Sequence, residues 1–510
     1  MTTANTSTAN QSQTVQCVGI ISDSLAFGVA FSIALTIIQR AVGFVRGILF
    51  CRYMTDQELG QWSMAFSFLM LLAPLALLGL PGSFGRFVEH YLQKGQIGTF
   101  VRRITQISSV LTIALATSMY LAPEWYSQII FRSSTNLNLI HCMAFALVMV
   151  AGSNFLISLI ESLRQVRLVS LMRFVQGVSF ALLGVAMLAT WQDSANAAVF
   201  AFGIACLITC LPAGWFLWQH RTALEDRDAT LSHREMWLRI APFAIWLWAT
   251  NLVWNLFEVG DRYMLIHWSE CSAELAQGLV GQYHSARVVP MLLVSIAVVL
   301  EGMILPYMTA LWEQNKPKEA GKQIAFAFKT ISLCFTFASI CVLIGSPILF
   351  DTMLGGKYDD GLEVLGITLV FSVWFSLFMF AQIYLWVAEK GKYLFILTAA
   401  GLGMNLALNA ALIPIFGLWG AVLATTSATL LCLTATLAAN NWFGNHIHGS
   451  LWLTSALPLV ILLPIPAAIV ATLGVIVVAA CSNWIFNHEE KQIAALQIAK
   501  IKAKLFGGTA

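Results

Sequence analysis

Charge is scarce in this sequence: Asp, Glu, Lys and Arg together make up 10% of its 510 residues. A soluble fold of this length needs a polar surface, and a chain that is 58% hydrophobic has too little material to build one. Long hydrophilic stretches are lacking as well. The longest, His220–Glu235, is too short for a soluble domain. The ten cysteines show no metal-ligand spacing and fall mostly inside apolar blocks. Cys51 and Cys271 lie near loops of one side and could pair, but packing accounts for them. No paired carboxylates and no His/Asp constellation gather near one interface, which argues against an enzyme; neither a cofactor nor a nucleic-acid partner is expected. The first 20 residues are rich in Thr, Ser, Asn and Gln and lack a basic n-region and a cleavage site. They read as a disordered cytoplasmic tail, not a signal peptide.

What is present is a succession of apolar blocks, each long enough to cross a bilayer as a helix. The spans expected are 24–50, 61–80, 104–122, 137–160, 168–190, 196–218, 238–265, 280–308, 329–350, 364–388, 393–413, 418–439, 450–467 and 470–486. The last two rest on Pro464 and Pro466 interrupting one continuous apolar stretch. Basic residues collect in alternate loops, twenty-one against four, with Lys329 counted among the first set. By the positive-inside rule both termini are cytoplasmic and the number of spans is even. Trp125, Tyr126, Trp191, Trp268, Trp419, Trp442 and Trp484 near span ends fit interfacial belts.

An internal repeat divides the chain. Gly60-Gln61-Trp62-Ser63-Met64-Ala65 returns as Gly281-Gln282-Tyr283-His284-Ser285-Ala286 after 221 positions, and Ala197–Ala201 returns as Gly420–Ala424 after 223. The fold expected is therefore all-α: a polytopic membrane protein of about 14 transmembrane helices, in two like-oriented six-helix repeats plus a C-terminal hairpin. Its parts are a disordered tail (1–23), an N-lobe (24–218), a cytoplasmic linker (219–237), a C-lobe (238–439), the hairpin (450–486) and an amphipathic cytoplasmic tail (487–510), with Ile493, Leu496, Ile501 and Leu505 on one side.

Six charges fall inside apolar spans: Arg40, Arg46 and Arg287, and Glu258, Asp261 and Glu301. A charge at mid-bilayer costs at least about 2.5–3.5 kcal/mol, so such groups face a bundle interior or a wet cavity. Glu258 and Asp261 share a face of span seven, as His284 and Arg287 do on span eight. Glu301 follows Arg287 by fourteen residues and returns to within roughly 40° of its stripe, about 21 Å deeper. The 221-residue offset sets Arg40 opposite Asp261, so the two are expected to meet, with Arg46 as the alternative partner; pairing that merely makes burial tolerable is the plainer explanation. With both carboxylates paired, the lumen is net cationic and suits a diphosphate, whose oxygens a guanidinium fork can grip. Arg86 and Glu89 are candidates for its vestibule. Asn405 with Asn409, and Asn251 with Asn255, fit interhelical hydrogen bonds.

Several runs of residues carry a family resemblance. Arg40-Ala41-Val42-Gly43-Phe44-Val45-Arg46, followed by Asp56-Gln57-Glu58-Leu59-Gly60-Gln61-Trp62, resembles the opening of bacterial polysaccharide biosynthesis proteins. Asp261-Arg262 with Val280–Tyr283 is similar to that family's second-half opening, as are Gly355-Gly356-Lys357-Tyr358 and Asn405 to Ala421 further on. These proteins form the O-antigen flippase branch of the multidrug/oligosaccharidyl-lipid/polysaccharide exporter superfamily, which also holds multidrug (MATE) exporters and lipid II flippases. The resemblance implies fourteen helices, two lobes about a cavity, alternating access, and undecaprenyl-diphosphate-linked oligosaccharide as the substrate. It also implies that arginines of spans one and eight meet the diphosphate, here Arg40, Arg46 and Arg287; Arg86 remains a vestibule candidate on its position alone, with a positive-inside loop residue as the plainer reading. Glu258, Asp261, Glu301 and His284 become candidates for coupling or gating. The place is the bacterial inner membrane, with membrane lipid, glycan polymerase and glycosyltransferases as candidate partners. The rival readings are a cation-coupled MATE-type drug exporter, whose lumen would favour anionic residues, an integral-membrane glycan polymerase or acyltransferase, and a non-transporting scaffold.

Overall fold

The structure is a computed structural model and describes residues 25–190, 195–226, 231–445, 447–488 and 490–492. The tail expected over 1–23, most of the tail over 487–510 and Trp191 lie outside the described residues. All regular structure is helical, with no strand among the described residues. Among the described residues eleven helices are long and apolar enough to cross a membrane, so the chain is a multi-pass membrane protein. It separates into two compact units, Met1–Gly281 and Gln282–Ala510. That is a division by packing, whereas 219–237 is a division by duplication.

The first unit holds α1 (Leu25–Tyr53), α2 (Asp56–Ala76), α3 (Phe84–Gln93), α4 (Ile97–Leu121), α5 (Pro123–Phe131), α6 (Leu137–Ser162), α7 (Val166–Thr190), α8 (Ala195–Gln219), α9 (His233–Trp268) and most of α10 (Ala273–Val288). α6 packs on α8, and α7 on both α1 and α8. Residues 84–94 are not the loop that their charges suggest. Phe84, Phe87, Val88 and Tyr91 recur at helical spacing and bury one face of α3 against Met236, Ile240 and Ala244 of α9. The preceding turn passes through left-handed backbone at Leu78 and Gly79. At Gly79 a Cβ would meet the Ala244 carbonyl at 2.7 Å, so only glycine fits.

α2 begins with a capping box: Thr55 Oγ1 accepts from Glu58 N at 3.3 Å while Thr55 N donates to Glu58 Oε2 at 3.0 Å. At α4 the hydrophilic linker supplies the cap. Thr99 N donates to both Asp226 oxygens at 3.0 Å, which ties residues 221–226 to the helix start.

The 221-residue offset acquires a physical meaning where α2 crosses α10. It relates Gly60 to Gly281 and Asp56 to Gln277. A Cβ on Gly60 would stand 1.8 Å from the Gln277 carbonyl oxygen, and one on Gly281 would stand 1.9 Å from that of Asp56. Each contact is the copy of the other under a local twofold, the signature of a self-complementary interface. Gln277 locks the crossing: its Oε1 accepts from Gln61 Nε2 at 2.9 Å and its Nε2 donates to the Phe131 carbonyl at 2.9 Å.

The second unit holds α11 (Pro290–Glu313), α12 (Pro317–Ile348), α13 (Asp359–Glu363), α14 (Leu365–Val387), α15 (Gly391–Phe416), α16 (Leu418–Trp442), α17 (Gly449–Ala456) and α18 (Ile465–Cys481). α14 is buried along almost its whole length, with α11, α12 and α16 against it. Asn405 donates to Thr425 of α16 at 3.3 Å, and Asn409 to Asn405 at 3.2 Å, so this pair does bridge helices. Asn255 instead donates to the Asn251 carbonyl of its own helix at 2.8 Å.

Two expectations change here. The span expected at 280–308 is divided at Val289 into two helices, because Pro290 has no N–H to continue the ladder, although Val289 itself keeps helical φ and ψ. Lys329 is not a loop residue. It lies in the second third of α12, 1% exposed, and its Nζ donates to both oxygens of Glu490 at 3.0 and 3.1 Å. The apolar stretch 450–486 is interrupted at Leu463–Pro464, where the prolines indicate. Cys51 and Cys271 are both free thiols.

Candidate functional site

The intramembrane charges can be located one by one. In the first unit, Arg46 projects from α1 into a cluster of rings. Its guanidinium lies 4.2 Å from the Phe180 centroid and 5.8 Å from that of Phe50. Phe180 and Phe50 meet edge-on at 5.6 Å, and Trp62 completes the group at 5.4 and 5.8 Å from them. Among the described residues no carboxylate lies within ion-pair distance of Arg46.

This seat decides what Arg46 can do. The contact with the ring faces is worth about 0.5–2 kcal/mol. The guanidinium carries five N–H donors in its plane, and a cation–π contact does not use them up as hydrogen bonds would. An aromatic cage therefore holds the cation while leaving its hydrogen-bonding edge for an anion. Trp62 belongs to the repeated Gly-Gln-Trp motif, so the motif serves both the helix crossing at Gly60 and the ring cluster on the opposite face of α2.

In the second unit Arg287 is handled the same way. It is 9% exposed, 5.2 Å from the Tyr283 centroid and 5.1 Å from that of Phe371, and it donates to the Tyr283 hydroxyl at 3.1 Å. Glu301 is half-buried on α11 and hydrogen-bonds the Gln382 side chain. His284 is half-buried.

Arg40 is on an exposed stretch of α1, and Asp261 is 1% exposed on α9. The side chain of Glu258 lies outside the described residues. Arg262, next to Asp261, donates to Ser67 Oγ on α2 at 2.6 Å. Arg86 stands in a separate cluster on α3, 5.1 Å from the ring centroid of Phe243 and 5.7 Å from that of Phe87. Glu89, paired with it in the sequence reading, is 3.7 Å from Arg164 instead. No group of three or more His, Cys, Asp or Glu side chains forms a metal site among the described residues.

Sequence reasoning missed Arg239 and His90, which join Arg86: Arg239 Nη1 lies 2.8 Å from His90 Nε2, and its guanidinium 5.9 Å from the Phe87 centroid. The signal available was the 84, 87, 88, 91 spacing of α3, which sets 86 and 90 on its polar side. Burial first, then the Arg239 and Lys94 charges, hold the His90 imidazole below its ordinary pKa.

Comparison with known proteins falls into place on this geometry. A family model described as "Polysaccharide biosynthesis protein" matches residues 25–312, more than half of the chain. Among solved structures, the chain is similar to "Lipid II flippase MurJ, inward closed conformation", at 14% identity and a TM-score of 0.66, covering 87% of this chain and 97% of that one. It is also similar to an inward-facing multidrug resistance MATE family transporter of the MOP superfamily, at 13% identity and 0.62, covering 82% and 100%. A MOP superfamily transporter from Pyrococcus furiosus, titled as having a binding pocket of reversed polarity, matches at 13% and 0.56, covering 84% and 97%. These likenesses establish the fold. No curated protein matches the chain.

Proposed function

The chain belongs to the polysaccharide biosynthesis protein family, and from that premise we propose that it is a flippase for a polyprenyl-diphosphate-linked oligosaccharide, working by alternating access in the bacterial inner membrane. The observation that carries the reading is Arg46. A guanidinium placed on ring faces inside a membrane span, with its in-plane donors unclaimed by any described carboxylate, matches a doubly charged phosphate linkage better than an organic cation. Arg287, seated on Tyr283 and Phe371, adds a second ring-held guanidinium in the second unit. The name of the lipid II flippase supports a lipid-linked glycan as the class of cargo.

Arg40 and Asp261 belong to the same proposal as partners across the repeat, and a charge swap should restore part of what either single change removes. Glu301 and His284 are the coupling candidates. Both termini are taken to be cytoplasmic on the distribution of basic residues.

The test is transfer of a fluorescent lipid-linked oligosaccharide in proteoliposomes. A charge-assisted hydrogen bond is worth about 1.5–3 kcal/mol, so Arg46→Gln should lower the rate at limiting substrate by roughly 10- to 150-fold. Arg46→Lys should recover only part of it, since a point charge cannot replace the fork. Wild-type transfer by Arg46→Gln would remove the reading, and export of organic cations by the intact protein would favour the drug-exporter rival.

A further inference from the structure

A second cationic site lies away from the intramembrane arginines. We propose that Arg86, His90 and Arg239, on the α3/α9 face of the first unit, form a docking site for the phosphate headgroup of a membrane lipid.

Three observations converge on it. The first is its construction. Arg86 and Arg239 approach the Phe87 ring at 5.7 and 5.9 Å, and Arg86 also approaches Phe243 at 5.1 Å. Both guanidiniums are thus held by aromatic rings and keep in-plane donors to present. Phe87 is itself buried in the α3/α9 core, so the platform is fixed by packing.

The second is an excess of cations, with Arg86, Arg239 and Lys94 set against Glu235, which acts on Tyr91 alongside Arg239. Lys94, at the end of α3, is close enough to His90 to depress its proton affinity, as Arg239 does. Among the described residues neither Arg86 nor Arg239 makes an ion pair, and Glu89 is turned to Arg164. Arg239 Nη1 contacts a ring nitrogen of His90, an arrangement that a neutral imidazole accepts and a protonated one opposes. Like charges this close are costly unless an anion sits among them.

The third is depth. α9 has 36 residues, about 54 Å of helix against a hydrocarbon core of about 30 Å. At least one of its ends must therefore leave the hydrocarbon; Arg234 and Arg239 in its first turns mark that end as the interfacial one, Arg239 being the seventh residue of the helix. α3 packs on those same turns, through Phe87, Met236 and Ile240. Cations at an interfacial helix end favour a lipid headgroup over a soluble anion.

The inference does not rest on the flippase reading, because binding alone is scored. Intact protein in phosphatidylcholine nanodiscs is titrated with two probes, geranylgeranyl diphosphate and phosphatidylglycerol. The wild type should bind at least one of them, more weakly as salt is raised from 50 to 500 mM. The double variant Arg86→Gln/Arg239→Gln should lose at least tenfold in affinity, and Arg46→Gln should retain the site. Selectivity for the diphosphate would identify the cargo lipid as the source, and equal binding of the two would identify phospholipid. Should the double variant fail to fold, Arg86→Gln and Arg239→Lys singly should each weaken binding several-fold. Unchanged affinity in these variants, or loss with Arg46→Gln alone, overturns the proposal, and the second result would leave the flippase reading intact.

Discussion

Placing a methyl group on Gly60 should drive apart two helices that now touch backbone to backbone. The new Cβ would lie 1.8 Å from the Gln277 carbonyl oxygen, where ordinary contact begins at 3.4 Å. Backbone cannot swing aside as a flexible side chain does, so α2 and α10 must separate by about 1.5 Å or distort locally, at a cost of ~1–3 kcal/mol. Separation also strains the Gln61 and Phe131 bonds to Gln277, each worth about 1 kcal/mol. Against this, alanine gains up to about 1 kcal/mol over glycine in helix propensity. The balance is a loss of about 3 kcal/mol. Gly43, with nothing within 4 Å of its would-be Cβ, is the matched control: Gly43→Ala should be neutral or slightly stabilising. Gly281→Ala should resemble Gly60→Ala, because the local twofold makes the contacts equivalent. The double variant should lose clearly less than the sum, since one separation makes room for both methyls. Thermal midpoints in detergent, read by size-exclusion fluorescence, check this. A Gly60→Ala protein that melts with Gly43→Ala, or strict additivity with Gly281→Ala, would refute the close crossing.

Other outcomes are expected of single groups. Glu490→Gln leaves a buried ammonium without its counter-charge and should destabilise by about 3–5 kcal/mol, whereas Lys329→Met with Glu490→Leu should recover most of that in the same melting assay. Asp226→Ala removes the cap from α4 and should cost about 1 kcal/mol, with faster proteolysis in the linker as the second readout. His90 is held below the ordinary histidine value, so on acidification the unfolded chain takes up its proton first. Stability is then fully present above about pH 6.5 and falls as pH drops toward the folded value; His90→Gln should flatten that part of a melting-versus-pH profile between pH 5 and 8.

Most spans could be read directly because the bilayer dictates their length, and an apolar block that long has one structural solution. The exceptions share a cause. Lys329 looked like a loop residue because its partner lies 161 positions away, and nothing local distinguishes a paired lysine from a solvated one. Residues 84–93 looked like a loop because charges interrupt the apolar residues, yet helical spacing was present at 84, 87, 88 and 91. Pro290 was visible, but the strong apolar run that follows it masked the break it makes. Arg46 stood out as an intramembrane charge, while its ring seat depends on Phe180, far along the chain. The repeat exposed Gly60 and Gly281 as equivalents; that they are also neighbours required coordinates.

The link between Lys329 and Glu490 bears on how the chain is made. The ribosome delivers the lysine first and the glutamate 161 residues later, roughly 10–30 s afterwards at ordinary translation speeds. During that interval α12 must be threaded through the insertion machinery carrying a cation that no neighbour has yet neutralised. Biogenesis of the second unit therefore waits on residue 490, and a chain cut short of it keeps a buried ammonium in α12 without its counter-charge.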